Sequence, residues 1–378
     1  MKTDNTTCQE MNVETSILNK TDGQAILSII STPKRTEAMA LFALEHGADS
    51  ALFINASGTI TGSLLNLLGL SSVKRLLAIM RVNAEKSDDL LRKIEDHFTL
   101  NRSMGGIAWI QKQVAEASAP QTEYSMVVAI VNAGEGRFVV EQARRSHPVG
   151  ASILEAVGSA DHTRKTFNFE IVPEKEIVLI ISKTDECNAV GNTIYEALRT
   201  EKPGRGVLFT AGIDMVSGIY QANKSDDSNV PDKHGDLARR ADTNKYLFVD
   251  EADVSRRELP LVAETVPASA SFEKLKPSRY VGLITVTERG HAADIVACAE
   301  AAGGHGATIL HGRETCTPSD RWLDKLTQST RDSVIMISEE KTAEAILSAL
   351  KKEKLATHLR TFVFDVRDFR LFSYGYSK

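Results

Sequence analysis

The chain has 378 residues, of which 42% are apolar and 25% charged, and its net charge is −5. That length exceeds one ordinary core and suits two or three domains, and the composition is that of a globular chain, not a disordered one. The mildly acidic balance leaves no basic footprint for nucleic acid, and no apolar run approaches the ~18 residues of a membrane span.

Residues 1–22 are polar and lack the apolar centre of a signal peptide, so they read as a disordered leader. A first repeat, 23–117, opens on the β-branched-rich strand Ala25–Ile30. A helix pattern carried by Met39, Leu41, Phe42 and Leu44 follows and stops at His46-Gly47-Ala48. Next come a strand at Ala51–Asn55, a loop at Ser57–Val73, a strand at Leu76–Met80, a helix at Glu85–Phe98 and a strand at Ile107–Ile110. The loop carries Leu64, Leu65, Leu67, Leu68 and Leu70, which suit either a short packed helix or a partner-docking patch.

The same order returns in a second repeat, 122–220. Its strands fall at Met126–Val131, Ser152–Ala156, Ile177–Ile181 and Val207–Phe209, and its helices run around Phe138–Ala143 and Asp185–Leu198. The first of these helices stops at His147-Pro148, and the loop between the second and third strands is Val157–Pro173. A polar insertion, 221–278, separates this repeat from the third and holds one short apolar stretch, Tyr246–Val249, that could add an edge strand. The third repeat, 279–378, has strands at Val281–Val286, Thr308–Leu310, Val334–Ile337 and Thr361–Phe364. Its helices lie around Ile295–Ala299, stopping at His305-Gly306-Ala307, and Glu340–Leu350, and its long loop is Gly312–Thr330. The intervals from first to third and from first to fourth strand are nearly equal in all three repeats, and Gly150–Leu154 matches Gly306–Leu310 almost residue for residue.

A β-α-β-β-α-β order builds a four-stranded antiparallel sheet with both helices on one face. Strands such as Ile177–Ile181, apolar at every position, are expected to be covered on the other face as well. The expected fold is therefore α+β: three tandem ferredoxin-like βαββαβ modules packed as an intramolecular pseudo-trimer, in a chain that is a monomer or a dimer of such units. Cys8, Cys187, Cys298 and Cys316 form no C-x-x-C pair and no regular framework, as expected for reduced thiols in cytoplasm.

The second repeat resembles the nitrogen regulatory P-II family, through VVAIVNAGEGRFVVEQAR, GASILEAVG, VPEKEIVLIIS and EKPGRGVLFT, and the other two repeats resemble it more weakly. P-II proteins are homotrimers of a βαββαβ subunit. They bind adenine nucleotides in clefts between subunits and signal through a long mobile loop between strands two and three. The resemblance implies that one chain supplies all three subunits, with ATP, ADP or AMP as a possible effector, no obligatory cofactor, and a regulated protein partner. None of the three long loops contains the tyrosine that some members modify. The lysine expected before the third strand has no clear counterpart; Val73, Glu174 and Arg331 stand nearest.

The candidate effector site starts from Lys202, Gly204, Arg205 and Gly206, whose glycines allow backbone N–H groups to converge while the cations add charge for phosphate. This turn is expected on the surface, where substitution costs little stability. Gly105 and Gly106 hold the same place in the first repeat, and the third has Ala356–Arg360 without glycine. The opposite wall is expected from the starts of the long loops: Gly58 and Thr59, Gly158 and Ser159, Gly312 and Arg313. A tight turn and surface ion pairs are the plainer readings of these residues. His46, His147 and His305 recur at one structural point and suit either helix capping or a shared metal. No catalytic triad, H-E-x-x-H or paired carboxylates appear, so a non-enzymatic sensor is expected. The alternatives are a scaffold with decayed ligand sites or a metal-handling protein of the trimeric copper-tolerance type.

Overall fold

The computed structural model describes residues 23–59, 72–100, 105–112, 122–159, 165–166, 169–170, 173–199, 206–219, 279–315, 329–353 and 359–372. The leader, the leucine-rich loop segment, the insertion with Tyr246–Val249, and Lys202, Gly204 and Arg205 lie outside the described residues.

The first repeat contains β1 (Gln24–Ser31), α1 (Pro33–Glu45), β2 (Ala51–Thr59), β3 (Ser72–Asn83), α2 (Ala84–Phe98) and β4 (Ile107–Lys112). The second contains β5 (Tyr124–Asn132), α3 (Gly136–Ser146), β6 (Ala151–Gly158), a two-strand ribbon of β7 (Lys165–Thr166) and β8 (Phe169–Glu170), β9 (Glu174–Lys183), α4 (Thr184–Leu198), β10 (Gly206–Ile213) and β11 (Met215–Ser217). The third contains β12 (Tyr280–Glu288), α5 (Ala292–Ala301), β13 (Thr308–Thr315), β14 (Ser329–Glu339), α6 (Glu340–Lys352) and β15 (Arg360–Leu371). Each predicted strand lies within an observed one.

Each repeat's strands pair antiparallel with the fourth beside the first, the first beside the third and the third beside the second, and all three sets join one 13-stranded sheet. Strand alternation explains why both faces are apolar. In β1, Ala25, Leu27 and Ile29 meet the helices, while Ile26 and Ile30 face a core that all three repeats share. In β5, Val127, Ala129 and Val131 meet their helices, and Met126, Val128 and Ile130 face the shared core. Three helix-backed cores thus surround a fourth that includes Leu77, Trp109, Phe209, Val286 and Phe364.

The joints between repeats are made by second strands. Ser57 pairs with Ile153, Ile309 with Val157, and Arg313 with Phe53. The far half of each second strand therefore lies against the near half of the next repeat's second strand, and the series closes on itself. These strands are longer than expected, because their far ends pair on one edge with their own repeat's third strand and on the other with a neighbouring repeat's second strand. Gly58, Thr59, Gly158, Gly312 and Arg313 are accordingly strand residues and not loop residues, and Ser159 directly follows β6.

Fourth strands are also extended. β15 continues to Leu371 and pairs with β10, and β11 pairs with β4, so each later repeat lays its end along the fourth strand of the repeat before it. α5 ends at Ala301, earlier than His305, because Gly303 and Gly304 turn the chain back and donate to Glu300 O and Ala299 O. Cys187 and Cys298 are buried and in no disulfide; the Cys187 thiol donates to the Ser125 and Ser182 carbonyls, and burial pushes it up to about 11, leaving it protonated and unreactive at neutral pH. No helix among the described residues is long and apolar enough to cross a membrane.

Candidate functional site

A cleft of about 330 Å³ opens between the second and third repeats. Its walls are largely apolar, from Ile130, Val207, Ile335, Ile337, Phe369 and Phe372. Polar groups are few: Lys175 and the Gly206 backbone from the second repeat, and His305 and Thr308 from the third. That combination, an apolar slot of sufficient volume with a few placed polar groups, is the usual composition of a small-ligand site.

Lys175 stands near the start of β9, opposite Ala156, on the face that carries Ile177 toward the shared core. Its ammonium donates to Asn132 Oδ1 at 2.8 Å, and burial holds its pKa below the ordinary lysine value, with Glu135 acting in the opposite direction. A cation that has lost solvent on an apolar wall gains most from a charged ligand, since little water competes.

Gly206 begins β10, with φ near +149°. A Cβ added there would lie 1.9 Å from Ile130 O, so this position admits no side chain without moving β5. The expectation of a tolerant surface turn is corrected: Gly206 is pinned between β5 and the end of the third repeat, whose Phe372 amide donates to Gly206 O at 3.1 Å. Gly206→Ala should cost about 3 kcal/mol, from backbone strain and overpacking together. Urea unfolding measures this, and an unchanged midpoint would contradict the close approach.

The other expected site residues fall at different joints. Gly105 O accepts from Ser31 Oγ at 3.2 Å and Arg35 Nε at 2.8 Å, and the Gly106 carbonyl is approached by the backbone of Gly218, so the first repeat's turn is covered from outside. Gly58 and Thr59 lie where the first repeat meets the second. There Thr59 Oγ1 donates to Ala151 O at 3.2 Å and accepts from Arg144 Nη2 at 3.0 Å. Gly158 and Ser159 flank the open cleft: the Gly158 amide donates to Pro173 O, and the Ser159 amide to Ala307 O at 2.8 Å. Gly312 is paired with Ile54, and Arg313 bonds Glu37 and lies over the Phe53 ring, so the third repeat's pair is sealed against the first repeat. Of the expected residues described, Gly206 lines the cleft, Gly158 and Ser159 adjoin its lining residues Lys175 and Ala307, and the rest lie at other joints.

The pairing register sets beside Arg331, which the sequence reading named, two basic residues that it passed over, Arg75 and Lys175. Arg75 opposes Ala56, Lys175 opposes Ala156 and Arg331 opposes Gly312, so these three occupy one position in the three third strands. Val73 and Glu174 are out of this register. The signal was a basic residue two places before the strand's inward-facing core, in Arg75-Leu76-Leu77, Lys175-Glu176-Ile177 and Arg331-Asp332-Ser333. Arg75 is half-buried, has its pKa lowered by burial, and makes no hydrogen bond or ion pair among the described residues.

The recurrent histidines do not converge on a metal. His46 Nδ1 lies 2.7 Å from Phe42 O at its own helix end, His147 Nδ1 lies 2.8 Å from Ser146 Oγ, and His305 lines the cleft. Among the described residues no group of three or more His, Cys, Asp or Glu side chains could hold a metal ion.

No family model and no curated protein matches the chain. Solved structures with some similarity include an aspartate kinase from Synechocystis, 13% identical with a TM-score of 0.18, covering 90% of this chain and 43% of that one. Another is an anthrone oxidase-like protein, 8% identical with a TM-score of 0.16, covering 67% of this chain and 95% of that one. The chain thus spans less than half of the kinase's length. Neither likeness is close enough to carry an argument about fold or activity.

Proposed function

We propose that this chain is a non-enzymatic, P-II-like signalling protein whose three ferredoxin-like modules form a pseudo-trimer within one polypeptide. It binds a small anionic effector in the cleft between modules two and three and acts on a partner protein. The carrying observation is that cleft: an apolar slot beside one desolvated lysine and a backbone turn that closes on the end of the third module. An effector with a flat apolar part and an acidic part, such as an adenine nucleotide, matches both features. The long loops between second and third strands are the route by which occupancy reaches the partner. Cytoplasm is the compartment that suits reduced, buried thiols.

A scaffold whose ligand sites have decayed is the second reading, favoured by the covered Gly106 turn and the sealed Gly312–Arg313 pair. Thermal unfolding with ATP, ADP, AMP and inorganic phosphate separates the two. A binding ligand stabilises the folded chain by mass action, by about 2.7 kcal/mol at a hundred times its Kd, and so raises the midpoint. A shift with a nucleotide supports the sensor, and no shift with any of them leaves the scaffold.

The closed series of second strands also predicts the assembly. With the three modules meeting inside one chain, no homotrimer is needed to bury their sheets. Sedimentation equilibrium should give a 41.3 kDa monomer or a dimer. A stable trimer of whole chains would contradict the pseudo-trimer.

A further inference from the structure

The register of the second and fourth strands exposes two coordinated replacements in the third repeat. Gly58 opposes Ser152, Gly158 opposes Thr308 and Glu314 opposes Leu52, so Glu314 stands where the other repeats have glycine. Val207 pairs with Ile130, Ile107 with Ile30 and Arg360 with Val286, each partner facing the shared core, so Arg360 stands where the others have Val207 and Ile107. The two replacements contact each other: the Arg360 guanidinium is paired with the Glu314 carboxylate.

The same carboxylate accepts from Arg331 Nε at 2.8 Å, and Arg331 is the third repeat's counterpart of Lys175 and Arg75. Arg360 also donates to Ser50 Oγ, from the segment that leads into β2 of the first repeat. Glu314 is 3% exposed and Arg331 8%. Two guanidinium groups of the third repeat therefore hold one buried carboxylate, and Arg360 is tied in turn to Ser50 of the first repeat. At the other joints a glycine stands where Glu314 stands here. A Cβ on Gly58 would lie 3.1 Å from Arg75 Cγ and Nε, and one on Gly158 would lie 3.5 Å from Lys175 Cε.

We propose that Glu314 is a built-in anion. Its carboxylate fills an anion site formed by Arg331 and Arg360, and through the bond of Arg360 to Ser50 it clamps the joint of repeats three and one without any ligand. Removing the carboxylate uncovers a site for a small acidic ligand such as a phosphate or pyrophosphate. The inference concerns a joint other than the effector cleft and does not depend on what that cleft binds.

The test uses the full chain carrying Lys175→Met, so that the cleft between repeats two and three contributes no signal. Into it are placed Glu314→Gly, the residue of the other two repeats, and separately Glu314→Gln, which keeps the shape and removes the charge. Thermal unfolding is followed against inorganic pyrophosphate, with sodium chloride at matched ionic strength as control. Each variant should bind pyrophosphate at least about tenfold more tightly than the chain that keeps Glu314, as expected for regained charge-assisted contacts. Adding Arg360→Gly should abolish the gain. If a variant does not fold in buffer, pyrophosphate should restore folding where chloride does not. Responses equal to that of the chain with Glu314, or no rescue by pyrophosphate, would overturn the proposal.

Discussion

Replacing Phe372 by alanine should lower stability by about 3–5 kcal/mol, the usual cost of emptying a buried aromatic site. Phe372 follows the last strand of the third repeat, yet only 1% of it is exposed, and it packs within the helix-backed core of the second repeat. Its ring lies 6.1 Å from that of Tyr195, with Val131, Leu198 and Leu208 in the same core. The backbone is tied down as well, through the bond to Gly206 O and the pairing of Leu371 with Val207. The end of the third repeat thus completes the second, and the substitution should loosen the wall of the effector cleft along with the fold. Urea unfolding with two independent probes gives the number. A loss under about 1 kcal/mol would show that the third repeat does not complete the second.

Lys175→Met should have the largest effect on binding. A charge-assisted bond to an anion is worth about 1.5–3 kcal/mol, so affinity for the effector should fall about ten- to a hundredfold. Stability should be unchanged or slightly higher, because the folded chain no longer holds a desolvated ammonium and methionine suits the apolar wall. The pH dependence follows from the direction of the shift. Burial lowers the lysine pKa in the folded chain, so the unfolded chain holds its proton to higher pH. Stability attributable to Lys175 therefore rises with pH between the lowered folded value and the ordinary value of 10.5. Binding of an anion runs the other way: it should weaken as pH rises through the lowered value, and Lys175→Met should show no such dependence. Equal affinities for parent and variant would remove Lys175 from the site.

The secondary structure was legible because each repeat states it locally. Apolar runs such as Met126–Val131 and Ile177–Ile181 admit only strands covered on both faces, and the three-fold recurrence of their spacing set the repeat. What escaped was non-local. Ser57-Gly58-Thr59 and Gly312–Thr315 are small or polar and read as loop; they are strands because an extended third strand of their own repeat and a neighbouring repeat's second strand both pair with this stretch. The place of Lys175 as counterpart of Arg75 and Arg331 depends on cross-strand register, which a one-residue misalignment hides. Gly206 was found, but its close approach to Ile130 O is a tertiary fact. Glu314 and Arg360 carried no signal separately, since each is an ordinary charged residue until the register places Glu314 on a former glycine position and Arg360 at the place of Val207 and Ile107.

Calorimetric titration of the purified parent chain with ATP, ADP and AMP tests the central claim most directly, since it reads both affinity and the number of sites. The joint between repeats three and one is occupied by Glu314, and the Gly106 turn is covered. The account therefore predicts one site per 41.3 kDa chain, or two unequal ones if the joint beside Arg75 also binds, with Lys175→Met weakening the tighter by about ten- to a hundredfold. Three equivalent sites per chain, or no heat with any of the three nucleotides, would contradict it.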